Sequence, residues 1–244
     1  MAEFMRIAHR GASGVFPENT RLAVEKAIQA GADMIELDCQ LTSDGHVVIF
    51  HDEYLDRIAG VAGTVKKLTL AQLKNLDLGG WRNSAFKGER ILTVEEVVEI
   101  VGGRADLCLE IKQFVGSPPG IELKLLFILS HYGYLDRTIL SSFDYSCLRR
   151  VRELAPEAGV GLIFGAGSED DPFLTAQQLG AASLHVQKEL ATPQFIARTR
   201  DLKLMAFVWT VNEVEEMEQF VSLGVDGIMT DFPERFASTR VGKR

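Results

Sequence analysis

The chain has little cysteine and no long apolar run, and each scarcity excludes a class of protein. Its 244 residues include three cysteines, Cys39, Cys108 and Cys147. They are too few and too unevenly spaced for a disulfide framework or a paired zinc site. This usage is typical of a reducing compartment, so we expect a cytoplasmic protein. No apolar run approaches the roughly 18–20 residues that cross a bilayer, and the N-terminus lacks the core of a secretion signal, so we expect no membrane span.

An excess of positive charge is also missing. The sequence has 26 basic against 34 acidic side chains, a formal net charge of -8. A nucleic-acid binder needs a basic surface to neutralise phosphates, so we expect no nucleic-acid partner. The basic tail at residues 240–244 is interpreted as a solvated end, and residues 1–4 as a leader added before an original start at Met5. No Gly-Lys-Ser/Thr loop for nucleoside triphosphates is present.

What the sequence does contain is a repeated alternation of short apolar runs and longer amphipathic segments. Strand-like runs lie at residues 6–8, 34–37, 47–50, 107–111, 138–140, 161–164, 182–186, 204–208 and 227–229. Helix-like segments lie at 20–30, 94–101, 121–131, 145–154, 172–179, 193–200, 214–223 and 234–239, and we expect Asn212 to cap the helix that begins near Val214. About eight strand–helix units favour a closed TIM (β/α)8 barrel over an open sheet. We therefore predict one α/β domain, residues 1–244.

Two places break this regularity. Asp44-Gly45 stands between two apolar runs and predicts a β-hairpin. Residues 53–88 are glycine-rich and weakly periodic, with a short helix predicted near 70–76. We interpret them as an inserted lobe over the barrel mouth; a linker between domains is the alternative.

Acidic and basic side chains follow the ends of predicted strands, where TIM barrels build their active sites. Glu36 and Asp38 share one face of a strand and lie about 7 Å apart, because side chains alternate. Glu110 and Lys112 share a face on another strand in the same way. The three acids offer only oxygen ligands, which suit one divalent cation, Mg²⁺ or Ca²⁺. The alternative is a metal-free salt-bridge cluster with Lys112 and Arg10.

Two histidines, His9 and His51, each directly follow an apolar strand and precede a charged residue. A histidine pair can accept one proton and donate another near neutral pH, so both are candidate acid–base catalysts. His46 and His131 have no such context, and His185, on a predicted strand, is a weaker candidate that could line the barrel.

Charge in this predicted cluster favours an anionic ligand. Three carboxylates, one divalent cation and two basic side chains leave roughly one positive charge in a site of low dielectric. A phosphodiester carries one negative charge and neutralises it, whereas a neutral sugar or ketone does not.

The ordered set of motifs resembles the glycerophosphodiester phosphodiesterase family. The matching elements are His9-Arg10-Gly11, Glu18-Asn19-Thr20, Glu36-Leu37-Asp38, His51-Asp52 and Glu110-Ile111-Lys112, with further matches at 142–144, 209–212 and 224–231. Together they span nearly the whole chain. Gln113 departs from the family, which often has proline there; we expect this to alter loop stiffness more than chemistry.

The resemblance implies a TIM barrel with a small insertion after the second strand. It implies metal ligation by Glu36, Asp38 and Glu110, and acid–base catalysis by His9 and His51. It further implies substrate binding by four residues: Arg10 and Lys112 on the phosphate, Glu18 as an orienting residue for His9 or Arg10, and Trp209 against the glycerol.

Three residues of these motifs keep alternative interpretations. Trp209 either packs against the glycerol or only against the core. Asn19 either contributes to the site or caps the following helix, and Asp52 either supports the site or makes a structural hydrogen bond.

The activity that the resemblance implies is metal-dependent hydrolysis of glycerophosphodiesters, such as glycerophosphocholine or glycerophosphoethanolamine, to sn-glycerol 3-phosphate and an alcohol. Two alternatives stay open. A sibling enzyme could cleave lysophospholipids, with Trp81 and Phe86 of the inserted segment as an apolar lip, or the protein could bind phosphodiesters without catalysis. A homodimer is possible.

Overall fold

The centre of the fold is a closed barrel of parallel strands. The structure, a computed structural model, describes residues 4–168 and 171–240, so residues 1–3 of the interpreted leader and 241–244 of the basic tail lie outside it. Within the described residues, eight strands form the barrel: β1 (Met5–His9), β2 (Met34–Leu41), β4 (Asp106–Ile111), β5 (Thr138–Ser142), β6 (Gly159–Phe164), β7 (Ser183–Gln187), β8 (Met205–Trp209) and β9 (Gly227–Thr230). β1 pairs with both β2 and β9, which closes the ring. The predicted TIM barrel is confirmed.

The remaining strand, β3 (Val47–Ile49), lies outside the barrel. It runs antiparallel to the outer end of β2, with Cys39 opposite Ile49 and Leu41 opposite Val47. The turn between the strands contains Gly45 at φ +83°, a conformation that favours glycine. The predicted hairpin is therefore present, and it carries the chain from the barrel into the inserted segment.

Helices follow the strands around the barrel, as predicted, and two short helices, Asp56–Ala59 and Leu70–Lys74, lie in the segment after β3. They are α1 (Arg21–Gln29), α2 (Asp56–Ala59), α3 (Leu70–Lys74), α4 (Val94–Val101), α5 (Ile121–His131), α6 (Tyr145–Leu154), α7 (Pro172–Leu179), α8 (Pro193–Asp201) and α9 (Val214–Leu223), and Pro233–Ser238 forms a 3₁₀ helix. The prediction that Asn212 caps α9 is wrong. Glu213 occupies that position without a side-chain hydrogen bond, because the Asn212 amide binds residues at the barrel mouth instead.

The segment between β3 and α4 packs on its own small apolar cluster. It contains α2, α3 and two 3₁₀ turns at Val65–Lys67 and Ser84–Phe86. The cluster joins side chains of the hairpin end to those of the segment: Val48, Phe50, Leu55, Ile58, Val65, Leu73, Leu78 and Ile91. Burial of apolar side chains here fixes the segment beside the barrel mouth. The boundaries 53–88 stay a prediction.

The barrel interior is a packed core and not a pore. Its lower part is filled by buried side chains from several strands: Ile7, Met34, Cys108, Ile139, Phe207 and Met229. Strand register places His9 opposite Glu36 and Asp38 opposite Glu110, one layer above this core. No helix among the described residues is long and apolar enough to cross a membrane.

Candidate active site

Three buried carboxylates meet at the carboxyl ends of β2 and β4. Glu36, Asp38 and Glu110 each offer one oxygen, and these oxygens all lie within 4.8 Å of one another. The strand register explains the meeting, since Asp38 and Glu110 are direct neighbours across the sheet and Glu36 is on the same face of β2 as Asp38. The sequence prediction that these acids form one cluster agrees with this geometry.

The cluster holds more protons than exposed acids would. Burial, followed by repulsion from Asp38 and Glu110, raises the pKa of Glu36 well above its ordinary value. Burial also raises the pKa of Glu110, to about 7. Burial opposes ionisation of Asp38 as well, but the charges of Lys112 and Arg10 outweigh it and lower the pKa of Asp38. A divalent cation binds deprotonated oxygens and would compensate these charges, so the donor set and its burial fit a hard cation.

Two basic side chains pack directly against the acids. Lys112 Nζ lies 2.6 Å from Glu110 Oε1 and 3.1 Å from Asp38 Oδ1. The Arg10 backbone N–H donates to Glu36 Oε2 at 3.0 Å. Arg10 Nε is buried 3.5 Å from Asp38 Oδ2 and has no hydrogen-bond partner among the described residues. The ion pairs that we predicted as the metal-free alternative therefore exist alongside the oxygen cluster.

The two candidate catalytic histidines have the same local arrangement. His9 Nδ1 lies 2.6 Å from Asp231 Oδ1, and His51 Nδ1 lies 2.7 Å from Asp52 Oδ1. An ionised carboxylate can only accept, so each ring carries a proton on Nδ1, and Nε2 is the nitrogen that can accept or donate another. His9 Nε2 lies 3.9 Å from Glu36 Oε2, at the edge of the acid cluster.

Asp231 is a site residue to which the sequence analysis assigned no role. It directly follows β9 and accepts hydrogen bonds from His9, Ser13 and Asn212. Burial opposes its ionisation, but these hydrogen bonds and the charge of His9 lower the pKa of Asp231 to about 2. Its position after a barrel strand, like that of Lys112, is the signal that could have found it.

Asn19 belongs to the site, and the capping interpretation is wrong for it. Thr20 caps α1, since its side chain accepts from the Ala23 N–H. Asn19 Nδ2 instead donates to Asp38 Oδ2 at 2.8 Å. Arg10 and Asn19 have left-handed φ angles of +54° and +60° and are joined by a backbone hydrogen bond of 3.0 Å. Such backbone strain in residues other than glycine is typical of functional sites.

Glu18 lies beside the arginine and binds it. Arg10 Nη1 donates to Glu18 Oε1 at 3.0 Å, which answers the open question of whether Glu18 contacts Arg10 or His9 in favour of Arg10. Glu18 also accepts two hydrogen bonds from Arg57 on α2. Arg57 is another residue that the sequence analysis did not single out.

Both histidines, both basic side chains and two of the three acids border one cleft at the barrel mouth. It holds about 430 Å³ of empty space, part of it open to solvent, and its wall includes His9, His51, Arg10, Lys112, Glu36, Glu110, Ser141, Phe143, Ile163, His185, Trp209 and Met229. Trp209 and Phe143 form one aromatic side, with ring centres 5.9 Å apart and planes perpendicular. The cleft is therefore charged on the side of the acids and apolar on the opposite side.

The predicted apolar lip does not border this cleft. Among the described residues, its wall includes neither Trp81 nor Phe86. The Trp81 ring lies beside the guanidinium groups of Arg57 and Arg82, and Phe86 packs against Phe16 with ring centres 5.8 Å apart.

Comparison with known proteins gives one consistent result. Residues 9–235 match the profile of the glycerophosphoryl diester phosphodiesterase family. A glycerophosphodiester phosphodiesterase of Caldanaerobacter subterraneus subsp. tengcongensis is 42% identical over 229 residues, covering 93% of this chain and 94% of the relative. The matched residues 9–235 include every residue of the cleft wall.

Solved structures of phosphodiesterases are also similar to this chain over nearly its whole length. An Oleispira antarctica phosphodiesterase in complex with its product sn-glycerol-3-phosphate has a TM-score of 0.86 and 29% identity, covering 95% of this chain and 94% of its own. A glycerophosphodiester phosphodiesterase from Agrobacterium tumefaciens has a TM-score of 0.85 and 28% identity, covering 98% of this chain and 100% of its own.

Proposed function

Because this chain belongs to the glycerophosphoryl diester phosphodiesterase family and is a phosphoric diester hydrolase, we propose that it cleaves glycerophosphocholine and glycerophosphoethanolamine. The products are sn-glycerol 3-phosphate and the free alcohol. The observation that carries this proposal is the pairing of two carboxylate-bound imidazoles with three acids around one cleft. The product complex of the Oleispira antarctica relative supports the choice of glycerol phosphate.

Glu36, Asp38 and Glu110 would hold one divalent cation, Mg²⁺ or Ca²⁺. When bound, the cation polarises phosphoryl oxygens and contributes several kcal/mol of charge stabilisation. Arg10 and Lys112, which already lie against these acids, bind the phosphate through their cationic groups. Together with the three acids and the divalent cation, these two side chains leave about one positive charge, which a phosphodiester neutralises and a neutral ligand does not.

His9 and His51 exchange the protons. One imidazole accepts the proton of the glycerol 2-hydroxyl while this oxygen bonds to phosphorus, and the other donates a proton to the departing alcohol oxygen. Water then opens the resulting cyclic phosphate with the two roles exchanged. Asp231 and Asp52 stabilise whichever ring is charged, through Nδ1. Trp209 and Phe143 pack against the glycerol carbons.

The test measures release of sn-glycerol 3-phosphate from glycerophosphocholine and glycerophosphoethanolamine, with lysophosphatidylcholine as the competing substrate. We expect activity to disappear in excess EDTA and to return with Mg²⁺ or Ca²⁺. We also expect His9→Ala and His51→Ala each to lower kcat by about 10²–10⁴-fold, because each removes one proton-transfer group. His131→Ala, on the exposed end of α5, is the matched control.

Each part of the proposal has its own contrary result. Full activity in EDTA would contradict the metal requirement, and normal turnover by both histidine variants would contradict the acid–base assignment. Faster cleavage of the lysolipid would assign the protein to lipid substrates instead. Binding of a glycerophosphodiester without product would make it a binding protein.

A further inference from the structure

Arg57, on the short helix α2 of the inserted segment, binds two carboxylates at once. Nε and Nη2 donate to the two oxygens of Asp52 at 2.6 and 3.0 Å. Nη1 and Nη2 donate to the two oxygens of Glu18 at 3.0 and 2.8 Å. The planar guanidinium matches carboxylate geometry in two such pairs, so one side chain fixes the direction of both acids.

Each of these carboxylates also binds a residue of the cleft wall. Asp52 Oδ1 accepts from His51 Nδ1 at 2.7 Å, and Glu18 Oε1 accepts from Arg10 Nη1 at 3.0 Å. Arg57 therefore lies one carboxylate away from an imidazole and one carboxylate away from a cationic group of the site. Arg57 therefore connects the inserted segment to the cleft through these two acids.

A purely stabilising role explains these contacts poorly. The Arg57 side chain is 42% exposed, and ion pairs of exposed side chains contribute little to folding. The acids are better covered, at 13% for Glu18 and 24% for Asp52. Burial opposes their ionisation, and hydrogen bonds from Arg57 help to lower the pKa of both. Four hydrogen bonds to two covered acids at a cleft serve their orientation more than the fold.

We propose that Arg57 is a positioning residue for phosphodiester hydrolysis, which fixes the His51 ring through Asp52 and the Arg10 guanidinium through Glu18. This inference rests on the function proposed above, in which His51 exchanges a proton and Arg10 binds phosphate. Without Arg57, Asp52 can rotate away from Nδ1, and Glu18 keeps only Arg10 as its ion-pair partner at the site. The His51 ring is then no longer held in position for proton transfer, nor the Arg10 guanidinium for phosphate binding.

The experiment compares Arg57→Gln and Arg57→Lys with the control Arg90→Gln. Arg90 is an exposed arginine near the end of the same segment, and its Nη1 donates to the Leu76 carbonyl at 2.9 Å. Readouts are kcat and KM for glycerophosphocholine, the Tm, and the ¹⁵N NMR signals of the His51 ring in the free protein.

We expect Arg57→Gln to lower kcat/KM by about 10–100-fold, as removal of a supporting partner typically does, with a lower kcat and a higher KM. Arg57→Lys keeps the charge but loses the planar guanidinium that pairs with two oxygens of each carboxylate. Its kcat/KM should therefore lie between that of Arg57→Gln and that of the wild type. The Tm of both should stay within about 4 °C of the wild type. In Arg57→Gln the His51 signals should change from one tautomer to a mixture. Arg90→Gln should match the wild type throughout.

A combined variant tests whether Arg57 acts through the two acids. In an Asp52→Asn, Glu18→Gln background, Arg57→Gln should change kcat/KM by less than about 2-fold, because its partners can no longer transmit the effect.

Three results would overturn the inference. The first is wild-type kcat, KM and His51 signals in Arg57→Gln. The second, which applies if Arg57→Gln does not fold, is full activity of Arg57→Lys. The third is that Arg57→Gln lowers kcat/KM in the Asp52→Asn, Glu18→Gln background as much as it does in the wild type. A wild-type protein that cleaves no glycerophosphodiester would refute the proposed function instead, and the His51 signals would still decide whether Arg57 places the ring.

Discussion

The two imidazole–aspartate pairs of the cleft are built alike but lie in different parts of the fold. His9 and Asp231 come from β1 and the end of β9, which are neighbouring strands of the barrel. His51 and Asp52 are consecutive residues after the hairpin strand β3, outside the barrel. One pair is thus joined by sheet register, whereas the other is joined by sequence and needs an external support.

The groups that hold the two aspartates also differ in chemical character. Asp231 is held by neutral donors, Asn212 Nδ2 at 2.8 Å and Ser13 Oγ at 3.1 Å. Asp52 is held by the charged and partly exposed Arg57 of the inserted segment. Neutral hydrogen bonds respond little to salt, whereas exposed ion pairs are screened by it. The comparison teaches that the barrel supports one half of the proposed acid–base pair and the insertion supports the other.

The sharpest way to break this comparison is to neutralise each aspartate in turn. Asp231→Asn and Asp52→Asn keep the side-chain shape but lose the negative charge that holds the Nδ1 proton and stabilises the charged ring. We expect each to lower kcat by between about 10-fold and 10⁴-fold. Steady-state kinetics on glycerophosphocholine measures this.

The control for both variants is Asp201→Asn, at the exposed end of α8, which should retain wild-type kcat. Raised ionic strength should weaken the ion pair between Arg57 and Asp52 more than the neutral hydrogen bonds to Asp231. Asp231→Asn keeps this ion pair and Asp52→Asn has lost it, so salt should reduce kcat more in Asp231→Asn than in Asp52→Asn. Equal salt sensitivity of the two variants would remove the proposed difference in support.

A smaller effect is expected from Asn212→Ala, the barrel counterpart of the Arg57 variants. Asn212 Oδ1 accepts from Thr230 Oγ1 and from the Asp231 N–H, both at 3.0 Å, while its amide donates to Asp231. Alanine removes the acceptor of the Thr230 hydroxyl and of the Asp231 N–H in a partly buried region, which costs about 1–3 kcal/mol of unfolding free energy. Chemical denaturation measures the loss, with Asn75→Ala on the exposed end of α3 as control. Unchanged stability would show that water replaces Asn212 at no cost.

The repeating parts of this fold could be predicted from the sequence, because they follow from local pattern. Apolar runs and amphipathic segments fixed the order of strands and helices, and alternation along β2 placed Glu36 and Asp38 on one face. Their positions directly after apolar strands indicated His9 and His51, which the structure brings to one cleft. These inferences need only the period of an element and the rule that barrel sites lie at strand ends.

The residues that the sequence analysis missed are joined by contacts between distant parts of the chain. Asp231 and His9 are 222 positions apart, and Glu18 and Arg57 are 39 positions apart. Asn212 stands where a helix cap is expected, yet its amide binds Asp231 across the barrel mouth. A local preference for capping is weak, so a partly buried carboxylate nearby outweighs it. Such partners depend on which strands are neighbours and how loops cross the mouth, and no single segment encodes either.

A third histidine of the cleft, His185 on β7, extends the comparison because no carboxylate in the described part of the chain binds its ring. Its Nε2 lies 2.8 Å from Ser183 Oγ, and Cys108 Sγ lies 4.0 Å from Nδ1. The ring is buried, and burial lowers its pKa to about 3. An imidazole that stays neutral in the fold is unsuited to carry the charge that we assign to His9 and His51.

The last expected effect is a pH dependence of stability that this buried ring causes. In the unfolded chain His185 takes up a proton below its ordinary pKa of about 6.5, whereas in the folded protein it does so only below about 3. Between these values the unfolded chain binds more protons, so His185 makes stability fall as pH decreases, by at most about 1.4 kcal/mol per pH unit. In His185→Gln the unfolding free energy, measured with urea, should depend less on pH between pH 6.5 and 4 than in the wild type. His131→Gln, at an exposed position, should show the pH dependence of the wild type. Parallel curves for His185→Gln and the wild type would mean that the ring is charged inside the barrel, and His185 would then become a third candidate for proton transfer.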